Sequence, residues 1–283
     1  MKIAITGAGG QLGTDLAEFL TKKGHTVIPY LKSECDVTQL QAIRKALDRD
    51  RPDTVLNAAA FAKVDVCESE QEKAYSINTA APCYLALETK RLNMKFIHFS
   101  TDYVFSGKRS TPYEENDEAR PGTVYGKSKL LGEYFVSSIN PDATIIRTSW
   151  LFGHTGRNFV KTIRDLARGR ESIQVVSDQF GSPAYTCDLA ACTEKLLYCP
   201  PGIYHVSNSG SCSWHDFASE VVRLLNEECT VIPVTSQEYG STVPRPAYSV
   251  LSHKKINEKG IFMRNWKEAL HEYLTKEGDR NED

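Results

Sequence analysis

Thirteen tyrosines occur in the chain, and only Tyr125 is followed four residues later by a lysine, Lys129. Residues four apart share a helix face, so both side chains can address one ligand. A phenol beside an ammonium group is suited to moving a proton. A free tyrosine, with a pKa about 10, is a poor proton exchanger near neutrality. An adjacent positive charge favours the phenolate and lowers that value. The spacing alone would arise by chance about once in a chain of average composition, so position carries the argument. Gly126 and Ser128 are small neighbours, and the segment opens a helix after an apolar strand. At the end of that strand stands Ser100-Thr101-Asp102. A Thr101 hydroxyl there can hydrogen-bond a carbonyl and orient Tyr125.

The second chemical signal is Gly7-Ala8-Gly9-Gly10-Gln11-Leu12-Gly13, which lies between a strand and a helix. Gly7 permits a tight turn, Gly10 lets a pyrophosphate approach the backbone, and Gly13 lets the helix pack close to the sheet. The helix N-terminus offers free N–H groups to the phosphates. A dinucleotide site and a proton-transfer pair together indicate ketone reduction, with a hydride from a nicotinamide and a proton from Tyr125. An oxidised nicotinamide adds a second positive charge beside the phenol. A three-unit drop in the tyrosine pKa would need roughly 4 kcal/mol of differential interaction. The second strand ends Tyr30-Leu31-Lys32-Ser33, where Lys32 and Ser33 could hold a 2′-phosphate, and Glu34 follows. The expected cofactor is NADPH, with NADH tolerated. Asp36-Val37 could flank the adenine, and the small run Asn57-Ala58-Ala59-Ala60 lets a cofactor lie against the backbone.

The elements that must position these residues alternate. Strands are predicted at 2–6, 26–30, 54–57, 95–100 and 144–149, and helices at 11–22, 66–92 and 125–138. Pro82 is expected to kink or restart the long helix. Thr38 and Gln41 have capping-box spacing and predict a helix through Leu47. Apolar strands alternating with helices imply a doubly wound, Rossmann-like parallel sheet with ligands at the carboxyl ends of its strands. Residues 1–150 are read as the NAD(P)-binding domain. Residues 151–283 are read as a smaller α/β domain, mainly for substrate, with some segments returning to the first. Within it, helices are expected at 158–168, 186–198, 213–225 and 265–274 and strands at 173–176 and 203–206. Glu277 to Asp283 reads as a frayed polar tail.

Thirty-four basic and 36 acidic residues leave a net charge of −2, so there is no broad positive face for nucleic acid. No apolar run approaches the ~18 residues of a membrane span, and the chain turns glycine-rich at residue 7. A cytoplasmic location and no membrane partner are expected. The eight cysteines form no C-x-x-C pair and read as reduced thiols. His98, His205 and His215 lack metal spacing and read as structural, and Trp214 and Trp266 as packing anchors.

These motifs, with Val64-Asp65, the run Ser100 to Gly107, Arg147-Thr148-Ser149-Trp150, Asn158-Phe159 and Asp178 to Pro183, resemble the dTDP-4-dehydrorhamnose reductase family of the extended short-chain dehydrogenase/reductase superfamily. The resemblance runs from residue 1 to about residue 250. It implies reduction of the C4 ketone of a dTDP-6-deoxy-4-hexulose with NADPH or NADH. Tyr125 would donate the proton. Lys129 would bind the nicotinamide ribose and lower the tyrosine pKa, and Thr101 would position the carbonyl. Val64, Asp102, Tyr125 and Trp150 would contact the sugar. The dinucleotide would also meet Gly9, Gln11, Leu12, Ala62 and Ser100. The region from about Leu151 would hold the nucleotide. Some family members coordinate Mg²⁺ through acidic residues at a dimer interface. Here Asp15 stands at the first such position, but no glutamate is in register near Cys187 and Asp188, so no bound metal is predicted, and a monomer or homodimer is expected. Two other readings compete: a nucleotide-sugar 4,6-dehydratase or epimerase, and a non-catalytic NADP-binding regulatory subunit. The dehydratase would need a glutamate where Tyr103 stands. A regulatory subunit would have no need to keep Thr101, Tyr125 and Lys129.

Overall fold

The apolar run Lys2–Thr6 forms β1, and its last four residues are buried, as a strand covered by helices on both faces requires. The computed structural model describes residues 1–282, with side chains through 277. After β1 come α1 (Gln11–Lys22), β2 (Thr26–Tyr30), α2 (Leu40–Asp50) and β3 (Thr54–Asn57). Next are α3 (Val64–Ser69), α4 (Gln71–Tyr75), α5 (Ala81–Arg91), β4 (Lys95–Thr101), α6 (Val124–Ile139) and β5 (Thr144–Thr148). The later half holds β6 (Leu151–Phe152), α7 (Phe159–Ala167), β7 (Ser172–Val176), β8 (Phe180–Gly181), β9 (Ala184–Tyr185) and α8 (Thr186–Leu196). It ends with β10 (Gly202–His205), β11 (Cys212–Ser213), α9 (Trp214–Leu224), β12 (Thr230–Val234), α10 (Lys254–Asn257) and α11 (Trp266–Glu282).

The main sheet is parallel throughout, in the order β10-β5-β4-β3-β1-β2. The strand order reverses between β1 and β3, where an open α/β sheet leaves a crevice for ligands. Leu12, Leu16 and Leu20 of α1 pack with Leu189 and Leu196 of α8 on Ile3, Ile5 and Leu56. On the other face, Ile43, Leu47, Leu85 and Val136 cover Val55, Phe96 and Ile145. A separate core around Phe152, Val160, Phe217 and Tyr273 builds the second lobe, which also holds the parallel pair β7 and β12. The sequence reading missed β12, whose residues are mostly exposed or half-exposed and lack the buried pattern of the main strands.

Three expectations change. The predicted helix over 66–92 starts at Val64 and breaks into α3, α4, a π-turn at Ser76–Ala80 and α5. Within the π-turn the Asn78 amide bonds the backbone N–H and carbonyl of Phe61 and the Ser128 hydroxyl. Pro82 directly follows the π-turn, in the first turn of α5, so the helix restarts there as expected. The capping box does not form. The Thr38 hydroxyl donates to Asp36 at 2.7 Å, and α2 opens after Gln39 without a side-chain cap. The polar tail is no loose end, since α11 runs to Glu282 and a buried Glu277 pairs with His154 Nδ1 at 2.7 Å. Asp283 lies outside the described residues.

Helix α6, which carries Tyr125 and Lys129, lies against its neighbours through glycines. A Cβ on Gly132 would sit 2.2 Å from the Asn78 carbonyl oxygen, and one on Gly126 would sit 2.2 Å from that of Tyr103. Gly132→Ala is expected to destabilise the protein by about 1–3 kcal/mol, the usual scale of overpacking. Urea denaturation should show a lower midpoint at constant m. An unchanged midpoint would mean that α6 has room to spare.

Candidate active site

The loops after β1 and β3 meet at the switch point. Gly7 has φ +71°, and a Cβ there would come within 2.6 Å of the Ala59 nitrogen. A Cβ on Gly13 would lie 2.2 Å from the Gly7 carbonyl oxygen, so Gly13 serves packing beneath the loop and lines neither the glycine-loop cavity nor the Tyr125 cavity. The first-turn N–H groups of α1 have no intrahelical partners, and Gly10, Gln11 and Leu12 line the crevice. Gly7, Gly9, Gly10, Lys32, Asp36, Val37 and Ala58 to Ala60 line a cavity of about 320 Å³. Leu31, Cys35, Thr38 and Ile77, which the sequence reading did not select, complete it. Ser33 is exposed and outside that lining. Asp36 is turned onto Thr38, which holds its carboxyl below the usual range. Glu34 accepts from the Leu31 N–H at 2.9 Å. Both acids at the end of β2 are thus engaged locally, and Lys32 remains the charged side chain on the cavity wall that can meet a phosphate. The fit to a dinucleotide is good: a turn that admits no Cβ, a helix N-terminus and a small-residue floor.

A second cavity of about 490 Å³ shares Gly10, Ala58 and Ala60 with the first. It gathers Gln11, Leu12, Ala62, Val64, Ser100, Thr101, Asp102, Tyr125, Lys129 and Trp150. Thr123 caps α6 by accepting from the Gly126 N–H at 3.0 Å, which sets the start of the helix and hence the position of Tyr125. Lys129 is 1% exposed, and its Nζ donates to the Phe99 carbonyl at 2.5 Å. Behind it a buried chain runs from Thr6 through Asn57 to His98, whose Nε2 lies 3.5 Å from Nζ. Thr101 donates to Asp102 at 2.9 Å and also hydrogen-bonds Tyr125. The tyrosine pKa departs from expectation. Burial raises it, Asp102 and Tyr103 push the same way, and the Thr101 hydroxyl opposes them. The phenol is thus held protonated, the form a proton donor needs.

The far wall of this cavity is aromatic. Trp150 follows β5 with φ +46°, a strained conformation for a bulky residue. Its ring stacks on Trp214 at 3.5 Å and 7°. Trp214 lines the cavity beside it and also a third cavity of about 290 Å³, so it joins the site while also packing on the second-lobe core as expected, whereas Trp266 is 4% exposed in the core. Tyr103 is common to both cavities as well. It meets Tyr125 edge-on at 5.5 Å, and its hydroxyl accepts from Arg245 at 3.2 Å. Arg245 also pairs with Asp65 at 2.8 Å. The part that Trp214 and Arg245 play here is not legible locally, because they lie far along the chain from the other motifs and only the fold brings them there. Asp15 accepts from Thr186, and Asp188 is engaged by Asn208 and Arg264.

Three buried side-chain atoms on the 490 Å³ cavity make no hydrogen bond of normal geometry: Ser100 Oγ, Asp102 Oδ2 and Thr148 Oγ1. Ser249 faces the same Asp102 carboxyl and favours its ionised form. Such orphaned groups mark a place where a polar ligand would complete the bonding.

Burial pushes the Asp102 carboxyl up to about 6, against the hydrogen bonds that favour its ionised form. The unfolded value is about 3.9, so the native state binds the proton more tightly. This group therefore favours the fold fully below about pH 4, and that contribution is lost as pH rises through about 6. Above that, the buried charge costs roughly 2–3 kcal/mol. Asp102→Asn is expected to raise the thermal midpoint at pH 7.5, with the advantage shrinking toward pH 4. A variant no more stable than wild type at pH 7.5 would contradict this account.

Residues 1–278 match the RmlD substrate binding domain family. The chain is 50% identical over 273 residues to the spore coat polysaccharide biosynthesis protein SpsK of Bacillus subtilis, covering 96% of each chain. It is 40% identical to a dTDP-4-dehydrorhamnose reductase of Mycolicibacterium smegmatis, over 95% of this chain and 84% of that one. The crystal structure of dTDP-4-dehydrorhamnose reductase from Bacillus anthracis in complex with NADP superposes with a TM-score of 0.95 at 39% identity, over 97% and 99% of the two chains. The chain therefore belongs to the RmlD substrate binding domain family, and with it to the extended short-chain dehydrogenase/reductase superfamily that its motifs resemble.

Proposed function

We propose that the protein is an NADPH-dependent reductase of the C4 ketone of dTDP-4-dehydro-L-rhamnose, yielding dTDP-L-rhamnose. The observation that carries this reading is the succession of three cavities. The glycine-loop cavity meets the Tyr125 cavity at Gly10, Ala58 and Ala60, and the Tyr125 cavity meets the third at Tyr103 and Trp214. Adenosine, the reacting centre and a substrate nucleotide can thus lie in line. Bound NADPH supplies the hydride. Tyr125, held protonated by burial, gives its proton to the C4 oxygen, which the Thr101 hydroxyl orients. Lys129 holds the nicotinamide ribose and stabilises the phenolate that remains. Val64, Asp102 and Trp150 contact the sugar, and the orphaned oxygens of Ser100 and Asp102 take up its polar groups or those of the cofactor. Arg245 lines the third cavity, hydrogen-bonds Tyr103, which the two substrate cavities share, and supplies a positive charge for the diphosphate. Lys32 favours NADPH through its 2′-phosphate. Residues 1–150 serve mainly the cofactor and the later residues mainly the nucleotide.

With the dTDP-keto-sugar, Tyr125→Phe is expected to retain NADPH binding and lose kcat by ~10²–10⁴. An unchanged rate would remove Tyr125 from the mechanism. The wild type should oxidise one NADPH per sugar reduced, and recycling of the cofactor would indicate a dehydratase or epimerase. kcat/KM should be higher with NADPH than with NADH, and a strong NADH preference would reject the role given to Lys32.

Trp214→Ala removes the ring stacked on Trp150. About 0.5–1.5 kcal/mol of aromatic contact beyond area translates to a KM for the nucleotide-sugar some 3–10-fold higher, with NADPH affinity unchanged. An equal loss for both ligands would return Trp214 to a purely structural role.

A further inference from the structure

Glu133 stands one helical turn beyond Lys129, so Tyr125, Lys129 and Glu133 recur at four-residue spacing along one face of α6. Glu133 and Arg147 are each 3% exposed. From β5, Arg147 gives Nε and Nη2 to the Glu133 carboxylate at 3.0 and 2.7 Å. Its Nη1 reaches the Glu115 carbonyl at 3.3 Å, and its guanidinium lies 5.1 Å from the centroid of Phe105. Immediately after Arg147 come Thr148, Ser149 and Trp150, which wall the reaction cavity. The pair thus ties the helix of the proton-transfer groups to the strand that leads into the sugar-side wall. Desolvation cancels much of the attraction in a buried ion pair, and well-packed apolar side chains often serve stability as well.

We infer that Glu133, clamped by Arg147, is a positioning residue for Lys129: it fixes the helix face that presents Tyr125 and Lys129, and its negative charge holds the proton on the buried amine. The inference rests on the roles proposed above for Tyr125 and Lys129. The surroundings of the amine support it. From β4 come His98 and the Phe99 carbonyl, and from α6 come Tyr125 and Glu133. From β5 comes Arg147, behind Glu133, and the turn after β4 brings Asp102 on the Tyr125 side. His98 is kept uncharged by burial and by the neighbouring ammonium. Burial pulls Lys129 down to about 8, and Glu133 opposes that fall.

The test titrates Lys129 directly, in full-length protein carrying ¹³C-labelled lysine and no cofactor, with Lys129→Met to identify its NMR signal. In E133Q/R147M no charge is left buried and unpaired. Its Lys129 midpoint is expected to fall by about one pH unit, a tenfold loss of proton affinity. E133D, which keeps the charge, should stay within a few tenths of wild type. A midpoint that does not fall in E133Q/R147M overturns the inference. So does a fall in E133D as large as that expected for the double variant, an arm that decides the matter even if the double variant does not fold. The alkaline limb of kcat/KM should shift with the midpoint. If Lys129→Met instead leaves that limb and NADP affinity unchanged, the proposed role of Lys129 fails, and the NMR result still stands alone.

Discussion

The ammonium of Lys129 is almost wholly withdrawn from water, and the centre of the molecule is organised around that constraint. An unpaired charge in such a place would cost many kilocalories per mole, so its donors need fixed acceptors. One is the carbonyl of Phe99, at the end of β4. To keep Nζ there, α6 must lie hard against its surroundings, which is why Gly126 and Gly132 stand where the backbone of neighbouring segments leaves no space for a side chain. The same helix position brings Tyr125 to Thr101 and places its ring edge-on to Tyr103. The proton donor, the carbonyl-orienting hydroxyl and the amine are thus one rigid unit whose geometry is set by backbone contacts.

That unit is costly in a way that suits chemistry. Burial raises the phenol of Tyr125, raises the carboxyl of Asp102 and lowers the amine of Lys129. Each shift moves its group toward the neutral form. Groups held this way release or accept protons more readily when a charged ligand changes the local field. From the sequence only the charges neighbouring Tyr125 can be counted, and the enclosure of the site adds a desolvation that raises the phenol.

Much of the site was legible because its logic is local. Glycines at 7, 10 and 13 announce a turn before a helix, and Tyr125 with Lys129 announces one helix face. Ser100-Thr101-Asp102 and Trp150 could be placed because each ends a strand whose apolar run is plain. What is less legible is assembled at a distance. Trp214 opens a helix in the second lobe and meets Trp150 only through the fold. Arg245 lies in a proline-flanked stretch and reaches Tyr103 and Asp65 across the cleft. The false capping box at Thr38 has another cause. Asp36, two residues earlier, offers its hydroxyl a closer acceptor, and such local side-chain bonds compete with helix caps.

The order β10-β5-β4-β3-β1-β2 carries a consequence for how the protein is made. The outermost strand on one side, β10, is supplied by residues 202–205, and α1 finds its packing partner in α8. A nascent chain that has emerged only as far as residue 150 therefore holds five strands with the rim at β5 bare and the apolar stripe of α1 uncovered. Bare strand rims invite pairing with other chains. The first lobe closes only when strands and helices from the second half of the chain arrive, so the two halves of the chain are not modules that could be exchanged.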